Sequence, residues 1–132
     1  MKLPTHSNRP KAPAACPCGG SDYRHCCEPL HLGALAATPE ALMRSRYSAY
    51  VKNLELYLRH SWHPSRCPVE LQLDPDCVWL GLEVKSASVS DDQNTGTVEF
   101  VARYRIKGAS AVRIIERSEF VRFEGRWVYL RG

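Results

Sequence analysis

Four cysteines fall within twelve residues near the N-terminus, in the run Cys16-Pro17-Cys18-Gly19-Gly20-Ser21-Asp22-Tyr23-Arg24-His25-Cys26-Cys27. A structural Zn²⁺ site takes four soft or borderline ligands in a tetrahedron, and four thiolates meet that need. Cys16 and Cys18 are close enough for one turn to aim both sulfurs at a common point. Gly19 and Gly20 let the chain leave that turn with positive φ. Cys26 and Cys27 return from the far side of a short loop. Arg24, a protonated His25 and turn N–H groups are placed to offset the excess negative charge of four thiolates around one ion. The competing readings are a redox thiol site and a pair of disulfides. Residues 1–15 are polar and proline-rich, carry Lys2, Arg9 and Lys11, and contain neither a signal peptide nor an apolar membrane stretch. The expected compartment is therefore the reducing cytoplasm, where clustered cysteines more often bind metal than form disulfides. Zn²⁺ is the expected cofactor, held by Cys16, Cys18, Cys26 and Cys27, with His25 or His31 open as a replacement for one of the adjacent pair. Cys67 and Cys77, far along the chain, read as ordinary thiols.

The elements that must position this cluster follow from patterning. The chain has 132 residues and a formal net charge of +4, enough for one domain with an N-terminal appendage. The basic surplus lies before residue 64, and there is no basic run. A surplus this small suits an acidic partner or RNA, but most charge imbalance of this size is simply a solvated surface. A helix should start at Thr38 as N-cap, with Pro39 in the first turn and Glu40 at the positive end of the dipole. Met43, Tyr47, Tyr50, Val51, Leu54 and Leu58 recur every three or four residues, and Asn53 divides the segment into helices of about 39–52 and 54–61. From residue 78 the pattern alternates, predicting strands at about 78–89, 97–107, 111–123 and 126–131, joined by Asp91–Gly96, Lys107-Gly108 and Glu124-Gly125. The fold class is α+β, a four-stranded meander with one face on the helices. Residues 64–77, with three prolines, form a long connection with room for a short helix or an edge strand.

Strand parity singles out one carboxylate. In a regular third strand Val112, Ile114, Glu116, Ser118 and Phe120 share a face, which points Glu116 toward the core. A buried carboxylate needs a partner, and Arg44, Arg46, His60 and His63 on the helical layer are the natural ones. The arrangement is either a pocket with a tuned acid or base or a buried Glu–Arg tie, and the tie is preferred. A bulge near Glu116 would put Arg117 inside instead. His63, beside Trp62 and Pro64, reads first as a histidine capping the helical region, and Trp127 and Tyr129 read as core or rim residues.

The cysteine run resembles the SEC-C zinc motif, with the seven residues from Gly19 to His25 between the second and third ligands, one fewer than is usual in that motif. The body resembles the YchJ-like bacterial family through Leu42-Met43-Arg44-Ser45-Arg46-Tyr47-Ser48-Ala49-Tyr50, Ser61-Trp62-His63-Pro64, Trp79-Leu80-Gly81-Leu82, Val98–Tyr104 and Glu116-Arg117-Ser118-Glu119-Phe120. That resemblance implies a flexible arm over 1–15, a SEC-C-like zinc segment over 16–37 and a nuclear transport factor 2-like, or cystatin-like, domain over 38–132. In such a domain, helices close one side of a curved sheet into a cone with a pocket, and the exposed sheet face often forms a homodimer. Fold alone does not fix function. First in order is a non-enzymatic interaction module that docks a protein or ribosomal RNA through the zinc knuckle. A binding protein or enzyme taking a small molecule in the cone at Glu116, His60, His63, Arg44 and Arg46 comes second, and a redox or metal-handling protein third. No membrane partner is expected.

Overall fold

The computed structural model describes residues 14–132. The arm expected over residues 1–15 lies outside the described residues up to 13. Ala14 is already tied down, since its carbonyl accepts from the Tyr23 N–H at 3.0 Å. The cysteine segment contains a 3-10 turn, Tyr23–His25, and a short helix α1, Glu28–His31. It is followed by α2, Pro39–Lys52, and α3, Glu55–His60, and then by strands β1, Cys77–Val89, β2, Thr95–Ile106, β3, Val112–Phe123, and β4, Arg126–Arg131.

Helix α2 begins as its sequence dictates. Thr38 Oγ1 accepts from the Ala41 N–H at 3.1 Å, Pro39 fills the first helical position, and Glu40 lies in the first turn. It ends where Asn53 takes the left-handed conformation, φ 57°, which stops the helix and turns the chain into α3. The four strands form one antiparallel meander in the order β1-β2-β3-β4. Register slips occur at Trp79/Gly81, Val84/Ser86 and Glu119/Phe120, whereas β2 and β3 pair without a break from Thr95↔Val121 to Tyr104↔Val112. The parity that points Glu116 inward therefore holds.

The inner sheet face contributes Val98, Phe100, Ala102, Phe120 and Trp127 to a core completed by Leu42, Met43 and Tyr47 of α2. Full burial of a large apolar side chain contributes roughly 1.5–3 kcal/mol. Contact at the start of α2 is close enough to require glycine: a Cβ on Gly96 would lie 2.5 Å from Pro39 Cγ.

Cys16, Cys18 and Cys27 belong to this same core, at 4%, 1% and 2% exposure. The cysteine segment, an appendage when read from the sequence, is here a third layer. It lies on the side of α2 that bears Ser45 and Ser48, both fully buried. The reason is visible along α2, where only Lys52 is fully exposed. The apolar stripe faces the sheet, and the small residues behind it let a second layer approach.

Neither the short helix nor the edge strand allowed for residues 64–77 forms. Instead the chain after α3 runs beside β4. The Tyr129 N–H donates to Ser61 O at 2.8 Å and the His63 N–H to Tyr129 O at 2.7 Å. This pairing brings Trp62 against Tyr129, ring centroids 5.2 Å apart.

Candidate functional site

The sulfurs of Cys16, Cys18, Cys26 and Cys27 all lie within 4.8 Å of one another, the one such convergence of metal-ligating side chains among the described residues. Local structure sets each pair. The Gly19 N–H donates to Cys16 O at 3.0 Å and the Cys16 N–H to Gly20 O at 2.9 Å, closing a tight turn around the first pair. Gly19 supplies the positive φ, 106°. Gly20 serves differently, because a Cβ there would lie 2.7 Å from Cys26 Sγ. The loop to the second pair is nucleated by Asp22, whose carboxylate accepts from the Arg24 N–H at 3.0 Å, and Cys27 then leads into α1. Helix α2 presses on the cluster from below. Ser48 Oγ donates to Cys27 Sγ at 3.3 Å and lies 3.4 Å from Cys16 Sγ, while Arg44 Nη1 donates to Cys18 O at 2.9 Å. Without an ion, Cys18, Cys26 and Cys27 oppose one another's ionisation. The Cys27 hydrogen bond pulls the Cys18 thiol down to about 4, burial pushes Cys26 up to about 11, and the bond to Cys18 pushes Cys27 up further still. A divalent cation reverses this mutual opposition by taking every sulfur as thiolate.

The two histidines that could have replaced a thiol are occupied elsewhere. His25 is exposed and pairs with Asp22 through Nδ1 at 2.6 Å. His31 accepts from Tyr23 Oη at Nδ1, 2.7 Å, and donates from Nε2 to Ser45 O, 2.8 Å. With both nitrogens used, it is a half-buried neutral strut between the cysteine segment and α2. Burial holds its imidazole below the ordinary value. In the unfolded chain it titrates near about 6.5, so just below that pH the unfolded state binds more protons. Stability should fall as pH drops through about 6.5 toward the lower folded-state value. Urea midpoints measured across this range should fall more steeply for the wild type than for His31→Gln.

Between α2 and the sheet lies a cavity of about 290 Å³. Its walls are aromatic, with Tyr47, Tyr50, Trp62, Trp79, Phe100, Phe120 and Tyr129 around Arg46, Glu116 and Ser118. Tyr50, Trp79, Ile114 and Glu116 are only half-buried, so that side of the cavity meets solvent. Burial, with Glu116 nearby, pushes the Tyr129 phenol up to about 12. Among the sequence candidates, Glu116 and Arg46 line this cavity, but the buried Glu–Arg tie does not form. Glu116 Oε2 instead accepts from Ser118 Oγ at 2.5 Å, and Arg46 binds Leu58 O and Ser61 Oγ.

Three candidates lie elsewhere. Arg44 faces the cysteine segment and pairs with Glu40 at 2.9 Å, because it projects from the opposite side of α2 to Arg46. His60 is exposed as the last residue of α3, on the lining of a separate groove. His63 packs its ring edge-on to Phe123, centroids 4.9 Å apart, and accepts from the Ser65 N–H and Oγ–H at Nδ1. It follows β4 and does not cap the helix, because its N–H is drawn to Tyr129 O. Sequence reasoning passed over Ser48 beneath the cysteines. It also read Trp62 and Tyr129 as packing, not as walls. The available signal for Ser48 was a pair of serines three apart in α2.

Residues 38–132 match the domain family described as "YchJ, middle NTF2-like domain". A UPF0225 protein of Ralstonia nicotianae is 48% identical, with 93% of each chain covered. One of Xanthomonas oryzae pv. oryzae is 52% identical over 87% of this chain and 91% of its own. In the solved structures, a SEC-C motif containing protein from Rhodopseudomonas palustris superimposes with TM-score 0.79 at 37% identity, covering 90% of this chain and 97% of that one. Another from Psychrobacter arcticus gives 0.76 at 26% identity, covering 90% and 81%. The chain belongs to the YchJ-like UPF0225 family, whose NTF2-like domain it carries behind a SEC-C-type cysteine segment.

Proposed function

We propose that the protein is a non-enzymatic interaction module, in which a structural zinc centre holds one wall of a groove that docks an apolar protein segment. Zinc suits the donor set. A tetrahedron with Zn–S of about 2.3 Å has edges of about 3.8 Å, and the Cys18–Cys26 and Cys26–Cys27 sulfur separations are 3.5 and 4.0 Å. Four protein ligands leave no open position for a substrate. The ion would fix the segment, not react.

The observation that carries the docking reading lies just after the last cysteine. Leu32, Leu35 and Leu56 are 80%, 66% and 83% exposed, and all three line one groove between the cysteine segment and α3. Single exposed leucines are ordinary, but a converging set marks an interaction surface. Trp127, 3% exposed, is among the residues that line it, an aromatic surface suited to an apolar side chain. RNA suits this groove less well. Its lining is leucine-rich, and its one arginine, Arg126, is held by His60 O at 2.8 Å.

Pull-downs from bacterial lysate should compare the wild type, the triple variant Leu32→Asp/Leu35→Asp/Leu56→Asp, and Val69→Asp as an exposed control away from the groove. Proteins retained by the wild type and Val69→Asp and lost from the triple variant are expected. Identical captures by all three, or captures abolished by nuclease, would rule the reading out.

A further inference from the structure

The cavity between α2 and the sheet contains a cation with no counter-ion. Arg46 is 6% exposed, and none of the ion pairs among the described residues includes it. Its two short hydrogen bonds leave from Nη1, to Leu58 O at 2.9 Å and Ser61 Oγ at 2.6 Å; the Tyr50 hydroxyl is a further neutral neighbour, and among the described residues no carboxylate meets Nε or Nη2. The guanidinium is clasped between two rings, 4.7 Å from the Trp62 centroid and 4.6 Å from that of Tyr129. Trp62 Nε1 is itself a buried donor without a partner. A charge taken out of water costs several kcal/mol unless it is paired, and an unmade buried hydrogen bond adds to that. Stacking on the two rings returns part of this, but rings accept no N–H bond in the guanidinium plane.

We propose that this cavity binds a small organic monocarboxylate, its carboxylate on Arg46 and its apolar body against the aromatic walls. The guanidinium fork matches a carboxylate in geometry as well as charge. Apart from Arg46, Glu116, Ser118 and the phenol groups, the lining is apolar, which favours an aromatic or branched aliphatic body over a sugar. A phosphate would bring up to two negative charges to one cation, with the Glu116 carboxylate in the same cavity. At about 290 Å³ the space lies at the lower end of the roughly 300–1,000 Å³ of small-molecule sites, so the ligand has one ring or a short branched chain.

The test uses the metal-loaded full chain with benzoate, benzamide and inorganic phosphate as probes. The Trp62 indole N–H resonance is followed, with that of Trp127, which does not line this cavity, as the internal reference. Benzoate is expected to shift Trp62 and to bind at least about tenfold more tightly than its uncharged isostere benzamide, as loss of one charge-assisted bond implies. Glu116→Gln, which removes a like charge from the cavity, should tighten benzoate binding. Arg46→Met should weaken it at least about tenfold. Should Arg46→Met not fold, the comparison of benzoate with benzamide on the wild type decides. Equal binding of the two, no Trp62 response to benzoate, an equal response to phosphate, or weaker benzoate binding by Glu116→Gln would each overturn the proposal.

Discussion

Removal of the metal by a strong chelator at neutral pH is expected to lower the melting temperature by more than about 10 °C and to release the cysteine segment and α2 together. Structural zinc contributes apparent binding energies of about 10–16 kcal/mol in small domains, against total stabilities of about 5–15 kcal/mol. A loss of even about 3 kcal/mol moves the melting point of a domain this size by roughly 10 °C. The effect should reach α2 because Cys16, Cys18 and Cys27 pack in one cluster with Leu42, Met43 and Tyr47, and Ser48 and Arg44 are bonded into the centre. Cys18→Ser should reproduce the loss, and Cys67→Ser, outside the cluster, should leave the melt unchanged. Thermal melts of the three proteins, with amide exchange read along α2, check this. Metal release with no change in melting would mean that the centre does not support the fold.

The second large effect concerns the opposite side of α2. Phe120→Ala is expected to destabilise the protein by about 3–5 kcal/mol, the range for truncating a fully buried aromatic residue. Phe120 is 1% exposed. Its ring meets Tyr129 edge-on with centroids 5.8 Å apart, and it sits at the register slip between β3 and β4. Ile115→Ala, on the outer face of the same strand at 74% exposure, should change stability by no more than about 0.5 kcal/mol. Urea unfolding of both variants measures the contrast. A comparable loss from each would mean that the two faces of the sheet are not in the environments described here.

Local rules wrote most of the fold legibly into the chain. Thr38, Pro39 and Asn53 bound α2 because capping chemistry acts over one helical turn. The turns at Asp91–Gly96, Lys107-Gly108 and Glu124-Gly125 set the meander, because hairpins join neighbours in sequence. The convergence of the cysteines was readable for the same reason, the four lying within twelve residues. That both His31 nitrogens are bonded elsewhere was not readable, since one of their partners is a carbonyl fourteen residues away. What periodicity could not reveal depends on distant pairing. Trp62 becomes a cavity wall only because Ser61 and His63 bond to Tyr129 on the last strand. His60 and His63 share a stretch of sequence with Trp62, but the chain reverses direction there and leaves both outside. Arg44 and Arg46, two residues apart, were grouped as a pair, yet on a helix that spacing sends them to opposite sides.

The near-absence of a solvent side on α2 bears on how much change the chain tolerates. A surface helix normally keeps one side on which substitutions cost little, and sequence drift accumulates there. Here that reserve is nearly gone, since Lys52 alone among residues 39–52 is fully exposed. One side must match the cysteine layer in size, and the other must match the sheet. A larger residue at Ser45 or Ser48 would lift the cysteine layer away, and a smaller one at Leu42 or Tyr47 would hollow the core. Such a helix is therefore the segment of the molecule with the least mutational latitude, and any variant library built on this scaffold should leave it alone and place its diversity in the strands and loops that face water.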